Sequence, residues 1–204
     1  MAAEAVPTRR SRAKSDRRAR LLAAAERLMA ERGFLAVRLE DIAAEAGVTG
    51  PAIYRHFPSK EALLVELLVG VSTRLLAGAA EVVGHAPDAA TALDGLIDFH
   101  LDFALGEPDL IRIQDRDLDQ LPEQARRQVR RAQRQYVELW VTVLCRLDPK
   151  LPETAARVMA HAAFGLLNST PHSAKPGVSK AVSRPVLRAM TVAALRRCDV
   201  GTAG

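Results

Sequence analysis

The stretch Leu39–Leu64, LEDIAAEAGVTGPAIYRHFPSKEALL, decides how this chain is read. It predicts a short helix over 39–46, a turn at Gly47, a second short helix after Thr49 that ends near Phe57–Pro58, and a longer helix capped by Ser59. Gly47 supplies the positive φ that a tight turn needs. Thr49 is a good N-cap, and Pro51 falls in the first turn, where its missing N–H costs nothing. Ala43 is small enough to let two helices approach, and Ile53 fills the angle between them. The layout is a helix-turn-helix, a module that lays its second helix in the major groove of DNA.

On the N-terminal side, residues 1–14 carry Pro7, Ser11 and the basic residues Arg9, Arg10, Arg12 and Lys14, and read as a disordered basic arm. A helix is expected after Ser15 and ends at Gly33. Its Leu21, Ala25, Leu28 and Met29 fall on one face, and Phe34 is expected to plug the same small core. On the C-terminal side the pattern is helix after helix. Ser59 opens one that reaches about Val83, and Asp88 opens one that reaches about Leu105, with Leu93, Leu96, Ile97 and His100 on one face. A short segment covers 109–118. Glu123–Leu147 is long, and the next helix spans about Pro152–Asn168. Residues 169–179 contain Pro171, Pro176 and Gly177 and read as loop, and Ser183–Cys198 is the last helix. The expected class is all-α with about nine helices. A three-helix DNA-binding domain over 15–60 precedes a helical bundle over 61–204.

Charge divides the chain in the same place. The net charge is +5, and residues 1–60 hold twelve Lys or Arg against seven Asp or Glu, whereas residues 61–204 are balanced. All the excess positive charge therefore lies with the helix-turn-helix, which suits a polyanion at that end. The two cysteines, Cys145 and Cys198, are too few and too far apart for a disulfide framework or a zinc site. No apolar run approaches the roughly 20 residues of a membrane span, and the basic N-terminus has no signal-peptide core. These features predict a cytoplasmic protein with no membrane association and no cofactor.

The segment GVTGPAIYRHFPSKEALL closely resembles the signature of TetR-type transcriptional regulators, and the resemblance is specific over about residues 15–66. It implies that Thr49, Gly50, Pro51 and Arg55 lie near bases, and that Tyr54, His56 and Lys60 hold phosphates. It departs from the family pattern at Arg38, where Thr or Ser usually caps the second helix. Loss of that cap costs about 1 kcal/mol, and Arg38 is a candidate phosphate contact in its place. The basic residues Arg9–Arg20 are candidates to follow the backbone or to enter a flanking minor groove.

The family also implies homodimerisation through the last two helices. Val158, Ala162, Phe164, Leu166 and Leu167 in one, and Val186, Met190, Val192, Ala193 and Leu195 in the other, are the apolar candidates. The resemblance further implies a small-molecule site within the bundle. Polar or aromatic residues on otherwise apolar faces are the candidates: His100, Phe103, Tyr136, Trp140, His161, Phe164 and Asn168, the last near His172. Arg126, Arg130 and Arg134 form a stripe that reads either as a solvated face or as an anion site. The order IRIQDRDLDQLP, an Arg-rich helix with QYVELWV, then FGLLNSTPHS, is similar to regulators that respond to acyl-CoA thioesters.

These readings combine into a dimeric repressor on palindromic double-stranded operator DNA, released by a small-molecule effector, with the helix over 59–83 as the lever. One alternative keeps DNA binding but gives the bundle a protein partner or no effector. A helical enzyme is a remote alternative, because there is no nucleophile–base signature, no metal-ligand spacing and no phosphate-cradling glycine loop.

Overall fold

A computed structural model describes residues 9–169 and 179–196. Nine α-helices and one 3-10 turn form these residues, with no strand among them. The first, α1 (Arg9–Arg32), starts earlier than the sequence suggested. Residues 9–14, expected to be a disordered arm, are helical here, while residues 1–8 lie outside the described residues. α1 ends as an αL cap: Gly33 has φ +88° and its N–H donates to the Met29 carbonyl at 2.9 Å.

α2 (Leu39–Glu45) and α3 (Gly50–Ile53) follow. Gly47 (φ +65°) ends α2 in a Schellman motif, with Val48 N–H on the Ala43 carbonyl at 2.8 Å and Gly47 N–H on the Ala44 carbonyl at 3.1 Å. At the other end of α2, Arg38 has no acceptor with which to cap, but Asp41 accepts its backbone N–H at 3.0 Å, which gives half of a reciprocal cap. α3 is shorter than expected. It is regular for four residues and then tightens, His56 N–H bonding to the Ile53 carbonyl at 2.8 Å. Thr49 has the extended backbone of an N-cap but makes no side-chain cap bond.

α4 (Lys60–His85) is capped by Ser59, whose hydroxyl accepts from Ala62 N–H at 3.3 Å. α5 (Ala89–Gly106) is capped by Asp88 onto Thr91 N–H at 2.7 Å. α6 (Pro108–Asp117) continues into the 3-10 turn Leu118–Gln120. α7 (Glu123–Leu147) and α8 (Glu153–Leu167) match the sequence reading to within a residue. α9 (Lys180–Arg196) begins one turn before the expected Ser183 and carries Pro185 inside it. The 169–179 segment and Cys198 fall largely or wholly outside the described residues.

Two apolar cores organise these helices. One joins Leu21, Leu28, Ile42, Ile53 and Phe57 to Leu63, Leu64, Leu67 and Leu68 of α4, and extends to Leu110, Ile113 and Val129. The other holds Leu93, Leu96, Ile97, Trp140 and Leu144 with Ala156, Ala160 and Leu167. The helix-turn-helix is thus built onto α4, α6 and α7 and does not end sharply at Lys60.

α4 corrects one statement of the sequence reading. It is 26 residues long and, with a mean hydropathy of 1.7 over its most apolar window, is long and apolar enough to cross a membrane. Its large apolar side chains, Leu63, Leu64, Leu67, Leu68 and Val71, are buried against the protein, and its outward positions are small or polar, such as Gly70, Thr73, Arg74 and Ala77. A lipid-facing side would be large and apolar, so this composition belongs to a core helix.

Candidate operator-binding surface and effector pocket

The turn after Gly47 presents one open face. Thr49, Pro51, Tyr54 and Arg55 are exposed and Gly50 is half-buried, while Ile53 and Phe57 point into the core. Tyr54 is 52% exposed and its hydroxyl reaches Glu40 Oε1 at 3.3 Å, which leans the ring toward α2. Arg38 is exposed beside it at the start of α2.

Two expected phosphate contacts are placed differently. Lys60 points inward: its ammonium donates to the Phe34 carbonyl at 2.7 Å and lies 4.3 Å over the Phe34 ring. His56 is half-buried, and its Nδ1 has no hydrogen-bond partner among the described residues. Burial pushes its imidazole below the usual value, and the cations of Lys14, Arg17 and Arg18 add to the shift, so it is neutral at pH 7. Arg18 is committed to the fold. It pairs with Glu66, donates to the His56 carbonyl at 3.0 Å and stacks 4.3 Å over Phe57.

Between α4, α5, α6, α7 and α8 lies a half-open cavity of about 290 Å³. Six of the seven sequence candidates line it: His100, Phe103, Tyr136, His161, Phe164 and Asn168. Trp140 does not. It is fully buried behind the lining, with its ring 5.0 Å from Phe164 and 6.2 Å from His100. His172 lies outside the described residues. His161 is exposed, at the rim.

His100 is the centre of a buried relay. Its Nδ1 is 2.9 Å from the Tyr136 hydroxyl and its Nε2 is 3.0 Å from Asn168 Oδ1. With a carbonyl oxygen at Nε2, that nitrogen carries the proton and donates, and Nδ1 accepts from the tyrosine O–H. Burial holds the imidazole at about 4, against a smaller upward pull from Asn168, and burial pushes the Tyr136 hydroxyl up. Both side chains are therefore neutral near pH 7. A histidine whose folded value lies below its unfolded one stabilises the protein fully above about pH 6.5, and that contribution is lost as pH falls toward 4. The loss is of order 3 kcal/mol. Urea unfolding at pH 7, 5 and 4 is expected to show this slope in the native chain, and His100→Gln is expected to flatten it. An equal slope in both proteins would assign the effect elsewhere.

Sequence reasoning missed Ser72, Gln114 and Gln133, which also line the cavity. A signal was present. Gln133 lies four residues from both Val129 and Val137, and Gln114 lies four after Leu110, so both amides occupy positions where the helical period calls for apolar residues.

Two family models match the chain. Residues 21–67 match bacterial regulatory proteins of the tetR family, and residues 87–172 match the tetracyclin repressor-like C-terminal domain. The chain belongs to the TetR family. Among curated relatives, the HTH-type transcriptional repressor KstR2 of Rhodococcus jostii is 39% identical over 84 residues, which cover 41% of each protein. The chain thus spans about two fifths of the length of that relative. Among solved structures, the ketosteroid transcriptional regulator KstR2 of Mycobacterium tuberculosis aligns with TM-score 0.77 at 24% identity, over 88% of this chain and 93% of that one. AibR in complex with isovaleryl coenzyme A and operator DNA aligns with TM-score 0.73 at 17% identity, over 85% and 97%. At these identities the structures share the fold.

In this TetR-family chain α6 joins cavity to DNA-binding domain. Ile111 and Gln114 line the cavity. Two and three residues beyond Gln114, Arg116 donates to the Met29 and Ala30 carbonyls at the end of α1, and Asp117, 4% exposed, accepts the Phe34 N–H at 3.3 Å and pairs with Arg116 at 3.1 Å. The clasp adds a second donor to the Met29 carbonyl and gives a partner to the Ala30 carbonyl, which the helix end otherwise leaves open.

The last two helices divide their apolar residues between two faces. Leu167 and Leu195 are buried in the bundle, and Phe164, Leu166 and Val192 are partly buried against it. Val158 (70% exposed), Val186 and Met190 face outward, as do Ala162 and Ala193. The charged side of α9 is turned to α5, with Arg184, Arg188 and Arg196 paired to Asp98, Asp102 and Asp94. In the arginine stripe of α7, Arg126 pairs with Glu123 and Asp119, and Arg130 with Asp119 at 3.5 Å. Two of its three guanidiniums are thus already neutralised, which favours the solvated-face reading over an anion site.

Proposed function

We propose that this protein is a ligand-responsive transcriptional regulator: a cytoplasmic homodimer that represses from palindromic operator DNA and is released by a small molecule bound in the cavity of the bundle. The observation that carries DNA binding is the uncovered face of Thr49, Pro51, Tyr54 and Arg55 on a Gly47-turned helix pair, at the basic end of the chain. Thr49, Gly50, Pro51 and Arg55 read bases, and Tyr54, His56 and Arg38 hold phosphates. Lys60 joins them by leaving its Phe34 carbonyl. The functional boundary lies near residue 60. Two identical reading heads double the contact set and match a two-fold site, and the outward stripe of Val158, Val186 and Met190 supports pairing through α8 and α9.

Release follows as a population shift. The effector must prefer a dimer whose reading heads are mis-spaced for the two half-sites. α4 carries Ser72 and Leu75 in the cavity and Lys60 in the DNA-binding domain. α6 adds a second connection through the Arg116–Asp117 clasp. The cavity supports an effector over a bundle without one. An acyl-CoA thioester is one candidate: a short acyl group suits about 290 Å³, with the coenzyme outside it.

The test is capture from sheared genomic DNA of the source organism. Enrichment of a palindrome upstream of a few operons is expected, and Arg55→Ala should weaken the recovered site by about 1–3 kcal/mol. Equal recovery by native protein and a Tyr54→Ala, Arg55→Ala double variant would reject DNA recognition by this surface. An acyl-CoA series titrated into the operator complex then tests that effector, and no release at any chain length would reject it.

A further inference from the structure

The cavity lining contains no Asp, Glu, Lys or Arg. Its deepest titratable group, His100, is saturated by Tyr136 and Asn168 and offers nothing to a guest's charge. Its aromatic rings cover one another: Tyr136 and Phe164 are 5.5 Å apart, and His100 and Phe164 are 5.2 Å apart. Ser72 donates its hydroxyl to the Leu68 carbonyl at 2.7 Å. Three half-buried lining amides keep free hydrogen-bonding capacity: Gln114 on α6 and Gln133 on α7, neither of which has a side-chain partner among the described residues, and the NH2 of Asn168, whose oxygen alone is engaged by His100. A primary amide donates to a carbonyl and accepts from a hydroxyl. An ion brought here would lose its hydration with no countercharge to replace it.

We propose that the portion of the effector entering this cavity is an uncharged ring or short chain bearing a carbonyl group, held by the Gln114 and Gln133 amides. The proposal rests on the cavity being the effector site and narrows what that site accepts. A free carboxylic acid at neutral pH is rejected, while its ester, thioester, amide or ketone counterpart is accepted. A site built around amides can make this distinction sharply, because an ionised guest is penalised by desolvation, whereas one extra methylene changes affinity only modestly. Because Gln114 stands on α6 two residues before Arg116, the same contact loads the helix that grips α1.

The chain has a single tryptophan, Trp140, packed directly behind the lining. Its emission reports occupancy in the intact protein without a label. The probes are three ring compounds of similar size: cyclohexyl methyl ketone, cyclohexanecarboxylate and cyclohexylmethylammonium, titrated at pH 7. The ketone is expected to bind at least about tenfold more tightly than either ion. Gln114→Leu should weaken it by about tenfold, and Gln133→Lys should reverse the order so that the carboxylate leads. Binding of either ion as tight as the ketone, no change in emission with any probe up to its solubility limit, or a ketone affinity unchanged by Gln114→Leu would each overturn the proposal. Tight ammonium binding in particular would make the rings a cation site. Operator release is scored separately by anisotropy. Ketone binding without release leaves the ligand class standing and rejects the cavity as the effector site.

Discussion

Val158→Asp is expected to give a folded monomer whose operator affinity falls by about a thousandfold or more. Val158 is 70% exposed on α8 and lies on the outward stripe shared with Ala162 and, from α9, Val186 and Met190. An aspartate there touches no core residue of its own chain, so the cost to the isolated fold stays within about 0.5 kcal/mol. In a two-fold interface each copy meets its counterpart, so the substitution buries two like charges in apolar surroundings at once. A monomer keeps one reading head, and a half-site contact approaches non-specific affinity, which is about 10³ to 10⁷ weaker than specific binding. Light scattering after gel filtration gives the mass, circular dichroism the fold, and anisotropy on a palindromic operator the affinity. A dimer of unchanged mass that still binds would place the interface elsewhere.

That face shows where sequence alone stops. Periodicity places apolar residues on α8 and α9 correctly, but it cannot tell a stripe facing the bundle from one facing a partner. Leu167 and Leu195 turn inward, while Val158 and Met190 turn outward. The distinction is tertiary: α9 seats Leu187 and Leu195 in the bundle and turns three arginines to the Asp94, Asp98 and Asp102 row of α5, a helix about 90 residues away. The helix-turn-helix was legible because its determinants are local. Gly47, the Ser59 cap and the Pro51 first turn each act within a few residues. The inward bond of Lys60 was not legible for the opposite reason: Phe34, its partner, is 26 residues away. Arg18 is likewise held from a distance, by Glu66 and the Phe57 ring, contacts that a composition of Pro, Ser and Arg does not announce. In the pocket, aromatic and imidazole side chains on apolar faces drew attention, whereas Gln114 and Gln133 resembled ordinary surface residues until their register was considered.

Trp140→Ala is expected to destabilise the chain by about 3–5 kcal/mol, the usual range for deleting a fully buried large aromatic. Trp140 is 0% exposed and is the largest side chain of the second core. Its ring is edge-on to Phe164 and His100 at interplanar angles of 77° and 88°, so it supports the wall of the cavity as well as the packing of α7 on α5 and α8. Removal leaves a void next to an existing hollow, so the two merge and the surroundings gain little by collapsing. For a chain of this size about 1 kcal/mol moves Tm by about 2–4 °C, which predicts a fall of roughly 6–20 °C. Leu35→Ala is the control, because Leu35 is 75% exposed and its loss should stay within about 0.5 kcal/mol. Trp140→Phe keeps most of the volume and is expected to recover more than half of the loss. If Trp140→Ala melts within 2 °C of the native chain, the α5–α7–α8 core does not depend on this ring, and the cavity wall must be held by the Tyr136–His100–Asn168 relay instead.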